Sequence, residues 1–87
     1  MNKYERVPDY ILDLHGYTTG EAEGMLQDVI KSGKHGHVRV ITGKGTFRPT
    51  GPVLKTFVRN FLVARNIKFA QSKISDGGEG AFEVFLK

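Results

Sequence analysis

The hydrophobic pattern of this chain predicts a two-layer α/β sandwich: a mixed four-stranded sheet with two helices on one face, in the order βαβαββ. Three observations carry that prediction. Residues Tyr10 to His15 and His37 to Thr42 alternate in the sense of half-buried strands. Two stretches between and after them, Ala22 to Ile30 and Val53 to Leu62, repeat their apolar residues at helical spacing. The chain then closes with two strand-like runs around the glycine-rich segment Asp76-Gly77-Gly78-Glu79-Gly80, which reads as a hairpin turn.

Residues 1–8 read as a flexible polar lead, since Pro8 disfavours a helix immediately before it, and residues 9–87 as a single domain. In the first strand Tyr10, Leu12 and Leu14 point one way and Ile11, Asp13 and His15 the other, so Asp13 and His15 share a face, roughly 7 Å apart along the backbone. Gly16 ends that strand. Thr18-Thr19-Gly20-Glu21 fits a capping box, with Tyr17 placed to staple onto Ala22. Ala22, Met25, Leu26, Val29 and Ile30 form the apolar stripe of the first helix. Gly24 inside it costs about 1 kcal/mol relative to Ala, and close packing against the sheet is the expected reason for its presence. Gly33 to Gly36 stop the helix.

The second strand ends in Thr42-Gly43-Lys44-Gly45. Short loops on either side of the first helix imply a right-handed parallel crossover, which brings both strand ends to one edge of the sheet. Gly51-Pro52 opens the second helix, Pro52 suiting the first helical position. Val53, Leu54, Phe57, Val58, Phe61 and Leu62 form its buried stripe, Lys55, Arg59, Asn60 and Arg65 face outward, and Asn66 stops it. Ile67 to Ser75 make the third strand and Ala81 to Lys87 the last, with Phe82, Val84 and Leu86 on one face.

Composition narrows the function. The chain has 87 residues and no Cys, which excludes disulfides and thiolate metal sites. A chain of this length buries only about 60–65% of the surface its unfolded form exposes. No apolar run approaches the roughly 20 residues of a membrane span, and the first residues carry no signal-peptide core, so a cytoplasmic protein is expected. The net charge is +4, and all nine carboxylates lie at Asp28 or earlier or at Asp76 or later. The interval between them carries Lys31, Lys34, Arg39, Lys44, Arg48, Lys55, Arg59, Arg65, Lys68 and Lys73. A central segment of one sign gives a basic face suited to a polyanion, most commonly nucleic acid; a solvated surface is the plain alternative.

Two short motifs carry the candidate chemistry. Histidine titrates near pH 6.5 as a residue type, which suits proton transfer at neutral pH. Asp13 would then either orient the His15 imidazole or hold a divalent cation through oxygen. One Asp and one His are too few for a fixed metal cage, so Mg²⁺ or Mn²⁺, if used, would be shared with substrate phosphate. Thr42-Gly43-Lys44-Gly45 is not a nucleotide-triphosphate loop, because Val38 and Gly45 stand where Gly and Ser or Thr are required. Nor is it a dinucleotide fingerprint, since Arg48 replaces the third Gly. What remains is a backbone able to approach a phosphate closely, with Lys44 as a point charge. His35 and His37 flank Gly36 without a third ligand and read as loop residues. Tyr17 and Phe47 lie near the motifs, where an exposed aromatic ring can stack on a base; for Phe47, packing under a loop is the plainer reading.

Taken together, Leu12-Asp13-Leu14-His15-Gly16, Thr42-Gly43-Lys44-Gly45, Gly51-Pro52-Val53-Leu54 and Gly77-Gly78-x-Gly80-Ala81 resemble, in order and spacing, the Smr (small MutS-related) domain over about residues 9–87. That resemblance implies a fold similar to the carboxyl-terminal domain of bacterial translation initiation factor three, and a nucleic-acid-binding function. It also implies DNA-nicking or RNA-cleaving endonuclease activity, which many members show, others being appended to MutS-like or pentatricopeptide-repeat proteins. The family's Asp-x-His pair falls on Asp13 and His15, and its Gly-x-Gly turn on Gly43 and Gly45. Where many stand-alone members continue with a Leu-His-Ser type segment, this chain reads Thr46-Phe47-Arg48-Pro49. The expected function is a monomeric endonuclease with Asp13 and His15 as catalytic pair. Nucleic acid would be held by Gly43, Lys44, Gly45, Arg48, Lys55 and Arg59, free of membrane and open to assembly on a larger nucleoprotein complex. The competing readings are a non-catalytic nucleic-acid or ribonucleoprotein binding module, and an adaptor that docks on another protein.

Overall fold

A computed structural model of the chain describes residues 7–43, 53–73 and 80–87. Its elements follow the expected order: β1 (Tyr10–Asp13), α1 (Thr19–Ser32), β2 (His37–Ile41), α2 (Val53–Ala64), β3 (Lys68–Gln71) and β4 (Ala81–Phe85). The sheet order is β1-β2-β4-β3. β1 runs parallel to β2, with Tyr10 opposite Val38 and Asp13 opposite Ile41, while β4 lies antiparallel to both β2 and β3. The carboxyl ends of β1 and β2 therefore meet at one edge of the sheet, as the crossover requires.

One face of the sheet is apolar because its alternation is: Leu12, Leu14, Val38, Val40, Phe82 and Val84 are buried there. Against them pack Ala22 and Leu26 of α1 and Leu54, Val58, Phe61 and Leu62 of α2, which places both helices on that face. The opposite face carries Asp13, His37, Arg39 and Glu83. Arg39 and Glu83 are cross-strand partners in the β2–β4 register.

The helix ends are built by local chemistry. Thr18 caps α1: its Oγ1 accepts from the Glu21 amide at 3.1 Å, and the Thr18 amide donates to Glu21 Oε1 at 3.0 Å. Gly33 closes the helix in the left-handed region. Asn66, at φ 58°, ends α2, with its amide bonded to the Val63 carbonyl and the Ile67 amide to the Leu62 carbonyl. This pair of bonds is a Schellman closure. Gly51-Pro52, expected to open α2, and most of the glycine-rich turn lie outside the described residues.

Four expectations need correction. β1 stops at Asp13, so His15 belongs to a turn and not to the strand. β3 is shorter than Ile67 to Ser75 and ends at Gln71, although the Ser72 amide still bonds to the Ala81 carbonyl. It is an edge strand in which only Phe69 is partly buried, edge-on to Phe82. Gly24 does not pack against the sheet: it is exposed, and a Cβ built on it meets nothing within 4 Å. His37 is the first residue of β2, as the alternation from His37 to Thr42 predicts, so grouping it with His35 as a loop residue is wrong; its Nε2 lies 2.6 Å from Glu83 Oε1. Among the described residues no helix is long and apolar enough to cross a membrane.

Candidate functional site

The turn after β1 positions the site. The Tyr17 amide donates to the Leu14 carbonyl at 3.1 Å, and Gly16 takes φ +85°, as at the third position of a type II turn. Only glycine adopts that φ without strain, so Gly16 is fixed by the turn's geometry. Leu14, fully buried, anchors the turn below, and its amide bonds to the Ile41 carbonyl at 2.7 Å.

With both ends held, the turn folds His15 back over Asp13. The imidazole Nδ1 lies 2.5 Å from Asp13 Oδ1, and the same oxygen accepts the His15 backbone amide at 3.1 Å. Thus the two residues meet through a turn instead of standing side by side along a strand. The hydrogen bond from the imidazole holds the Asp13 carboxyl below its ordinary value, with the His15 amide adding to the effect and partial burial opposing it. An ionised Asp13 makes Nδ1 the protonated nitrogen, so whenever the ring is neutral the lone pair sits on Nε2. Both side chains are accessible, His15 at 70% and Asp13 at 48% of full exposure, so a large substrate can reach them. They line an open depression of about 430 Å³ together with Gly16 and Tyr17.

The end of β2 lies against the dyad. Gly43 adopts φ +78°, and a Cβ built there would sit 3.7 Å from the Cβ of His15. The structure brings Asp13, His15 and Gly43 together at one sheet edge. Lys44, Gly45 and Arg48 lie outside the described residues. Lys55 and Arg59 sit one turn apart on α2, in the helical layer. The Gly43 amide is already engaged, donating to the Gly80 carbonyl at 3.0 Å alongside the Thr42 amide at 2.8 Å. It is not a free donor for a phosphate; what Gly43 offers is close approach.

For a divalent cation the residues fit poorly. Asp13 offers carboxylate oxygens, but one already takes two hydrogen bonds, and the described residues hold no group of three or more His, Asp or Glu. Such an ion would draw most of its ligands from substrate and water.

Sequence reading missed two polar clusters. Glu83 collects His37 Nε2, Arg39 Nε at 2.8 Å and the Ser72 hydroxyl on the open face of the sheet. Burial raises its pKa, but the bonds from Ser72, Arg39 and His37 outweigh that and hold it below the ordinary value. The cross-strand placement of opposite charges was the available signal. Asp9 accepts the Gly36 and His37 amides at 2.8 and 2.9 Å, latching the chain before β1 to the start of β2. A larger cavity of about 470 Å³, walled by Ile30, Ile67, Phe85 and Leu86, opens at the other end of the sheet. It contains no acid–base pair like Asp13–His15, so cavity size does not locate the chemistry.

Comparison with known proteins agrees with this geometry. The Smr domain family model matches residues 12–87. The Smr domain of Thermus thermophilus MutS2 is 25% identical, with TM-score 0.76 over 90% of this chain and 98% of that one. The human small-MutS related domain is 28% identical, with TM-score 0.71 over 87% of this chain and 99% of that one. The SMR domain of NEDD4-binding protein 2 is 25% identical, with TM-score 0.70 over 99% of this chain and 94% of that one. No curated protein matches the chain significantly.

Proposed function

This chain belongs to the Smr domain family, a family of nucleic-acid-binding domains, and from that premise we propose that it is an endonuclease cleaving RNA or nicking DNA with His15 as proton acceptor. The observation that carries the reading is the 2.5 Å contact of His15 Nδ1 with Asp13, at an accessible sheet edge beside Gly43. Asp13 fixes the imidazole in the tautomer whose Nε2 accepts a proton from the attacking hydroxyl, the ribose 2′-OH in RNA or a water in DNA. The same nitrogen, once protonated, can return the proton to the leaving oxygen. Lys44 and Arg48, next along the chain from Gly43, are the cations proposed to meet charge developing on the scissile phosphate. Lys55 and Arg59 would hold the flanking backbone, with Gly43 and Gly45 admitting the phosphate closely.

A second reading, a binding module without catalysis, is favoured by the engagement of the Gly43 amide with Gly80. Basic residues alone would then carry binding, and its affinity would fall steeply with salt.

Structured RNA and supercoiled plasmid, incubated with wild type, His15→Ala and Asp13→Asn in Mg²⁺, in Mn²⁺ and in chelator, separate the two. His15→Ala is expected to slow cleavage by about 10²–10⁴-fold, the usual worth of general acid–base catalysis, while leaving binding intact. Equal cleavage by wild type and a variant lacking both groups would overturn the catalytic reading.

A further inference from the structure

We infer that Tyr17 forms a nucleobase subsite beside the dyad, so that the preferred substrate presents an unpaired nucleotide at the bond to be cut; the inference rests on the nuclease reading above. Tyr17 is 44% exposed. Its backbone is held by the bond to Leu14 and by the cap that follows at Thr18, which leaves the ring on a rigid support. Among the described residues the ring has no stacking, cationic or hydrogen-bonding side-chain partner, whereas Tyr10 is stacked on His35.

The depression of about 430 Å³ is lined by Asp13, His15, Gly16 and Tyr17, so the ring shares one hollow with the dyad. A Cβ built on Gly16 meets nothing within 4 Å, so that stretch of wall is backbone facing open space. Base stacking on an aromatic ring tolerates any sequence, because every base has a π-face. A base laid on Tyr17 would bring its own phosphate to the dyad, because His15 is only two residues away and borders the same depression. A base paired inside a duplex cannot reach the ring without being extruded, which costs unstacking and unpairing energy. An exposed Tyr17 therefore selects single strands, loops and bulges over continuous duplex.

The alternative role for Tyr17 is structural, as the apolar residue that staples onto Ala22 at the start of α1. Tyr17→Leu keeps apolar bulk for a staple and removes the π-face; Tyr17→Phe keeps both. In a His15→Ala background, binding of a short unstructured oligonucleotide is measured with each substitution, alongside thermal melting. Tyr17→Leu is expected to weaken single-strand binding by roughly 5- to 100-fold, the range of aromatic–base stacking. Duplex binding and melting should change little, and Tyr17→Phe should restore single-strand affinity.

A second measurement needs no variant. Wild-type protein is given oligonucleotides with a fluorescent adenine analogue, or an abasic residue, moved one position at a time past the cleaved bond. One position should show stacking-induced quenching, and an abasic residue there should cost a similar factor in cleavage. Uniform tolerance of abasic residues, or full affinity in Tyr17→Leu, would overturn the subsite. Undiminished cleavage by His15→Ala would instead overturn the nuclease reading, so the two failures are distinguishable.

Discussion

Gly43 and Gly24 show how differently one residue type is used in this chain. Gly43 has φ +78° beside His15, where an L side chain is strained whatever the space around it. Gly43→Ala is expected to destabilise the domain by about 1–2 kcal/mol through backbone strain, since the new Cβ would meet His15 only at ordinary van der Waals distance. Urea unfolding of the two proteins checks the figure. Had Gly43 been kept for packing alone, the loss would be near zero. At this scale the sequence was partly legible. Asp13, His15 and the glycine turn stood out because they fall at the carboxyl ends of neighbouring strands, where open α/β sheets bind their ligands. The way they meet was not legible, because alternation says nothing about a turn that begins one residue after Asp13. Glu83 was missed for a related reason: its partners His37, Arg39 and Ser72 come from distant parts of the chain, and only the register aligns them.

The helices and strands were easier to read, since each declares itself through periodicity and terminal chemistry. Thr18 and Glu21 specify the start of α1, and Asn66 the end of α2, within local sequence. Gly24 lies opposite the stripe of Ala22, Met25, Leu26, Val29 and Ile30, so the helical period itself turns it outward. The expectation that it packs on the sheet ran against that period. Because it is exposed with open space around it, Gly24→Ala should stabilise the protein by about 0.5–1 kcal/mol, the propensity difference in a helix interior. In a domain of this size that raises Tm by several degrees in a calorimetric scan. A fall in Tm would show that Gly24 is packed after all. The strand ends were the least legible. β3 lies at the edge of the sheet, where three of its four residues are exposed and the alternation fades before Ser72.

Across the whole molecule, charge and fold are arranged separately. The helical layer and one sheet face form the core, and the opposite face holds the Glu83 cluster between strands β2 and β4. Asp9, Asp13 and Glu83 all have carboxyl pKa values held below the ordinary 3.8 or 4.5. In the unfolded chain these groups take up protons at higher pH than in the folded one. Their stabilisation is therefore full above the ordinary carboxylate range and is lost as pH falls through and below it. Glu83→Gln should cost about 2 kcal/mol at neutral pH, as expected for hydrogen bonds to a charged group that is largely shielded from solvent, and should flatten the acid limb of a stability–pH curve. An acid limb identical to wild type would show that Glu83 carries no such linkage. The basic central segment, by contrast, was legible from the sequence, although one of its members, Arg39, is drawn into the fold by Glu83. The binding role proposed for the rest of it predicts an affinity for nucleic acid that falls steeply with salt.

The chemistry proposed depends on the Asp13 carboxylate holding the His15 imidazole with Nε2 unprotonated. Long-range nitrogen–proton correlation NMR on ¹⁵N-labelled protein at neutral pH observes that state directly, with His15→Ala used to assign the ring. The expected result is a neutral His15 population protonated at Nδ1 and bare at Nε2, reverting toward the usual tautomer mixture in Asp13→Asn. A His15 ring protonated at Nε2 in the wild type, or unchanged by Asp13→Asn, would contradict it.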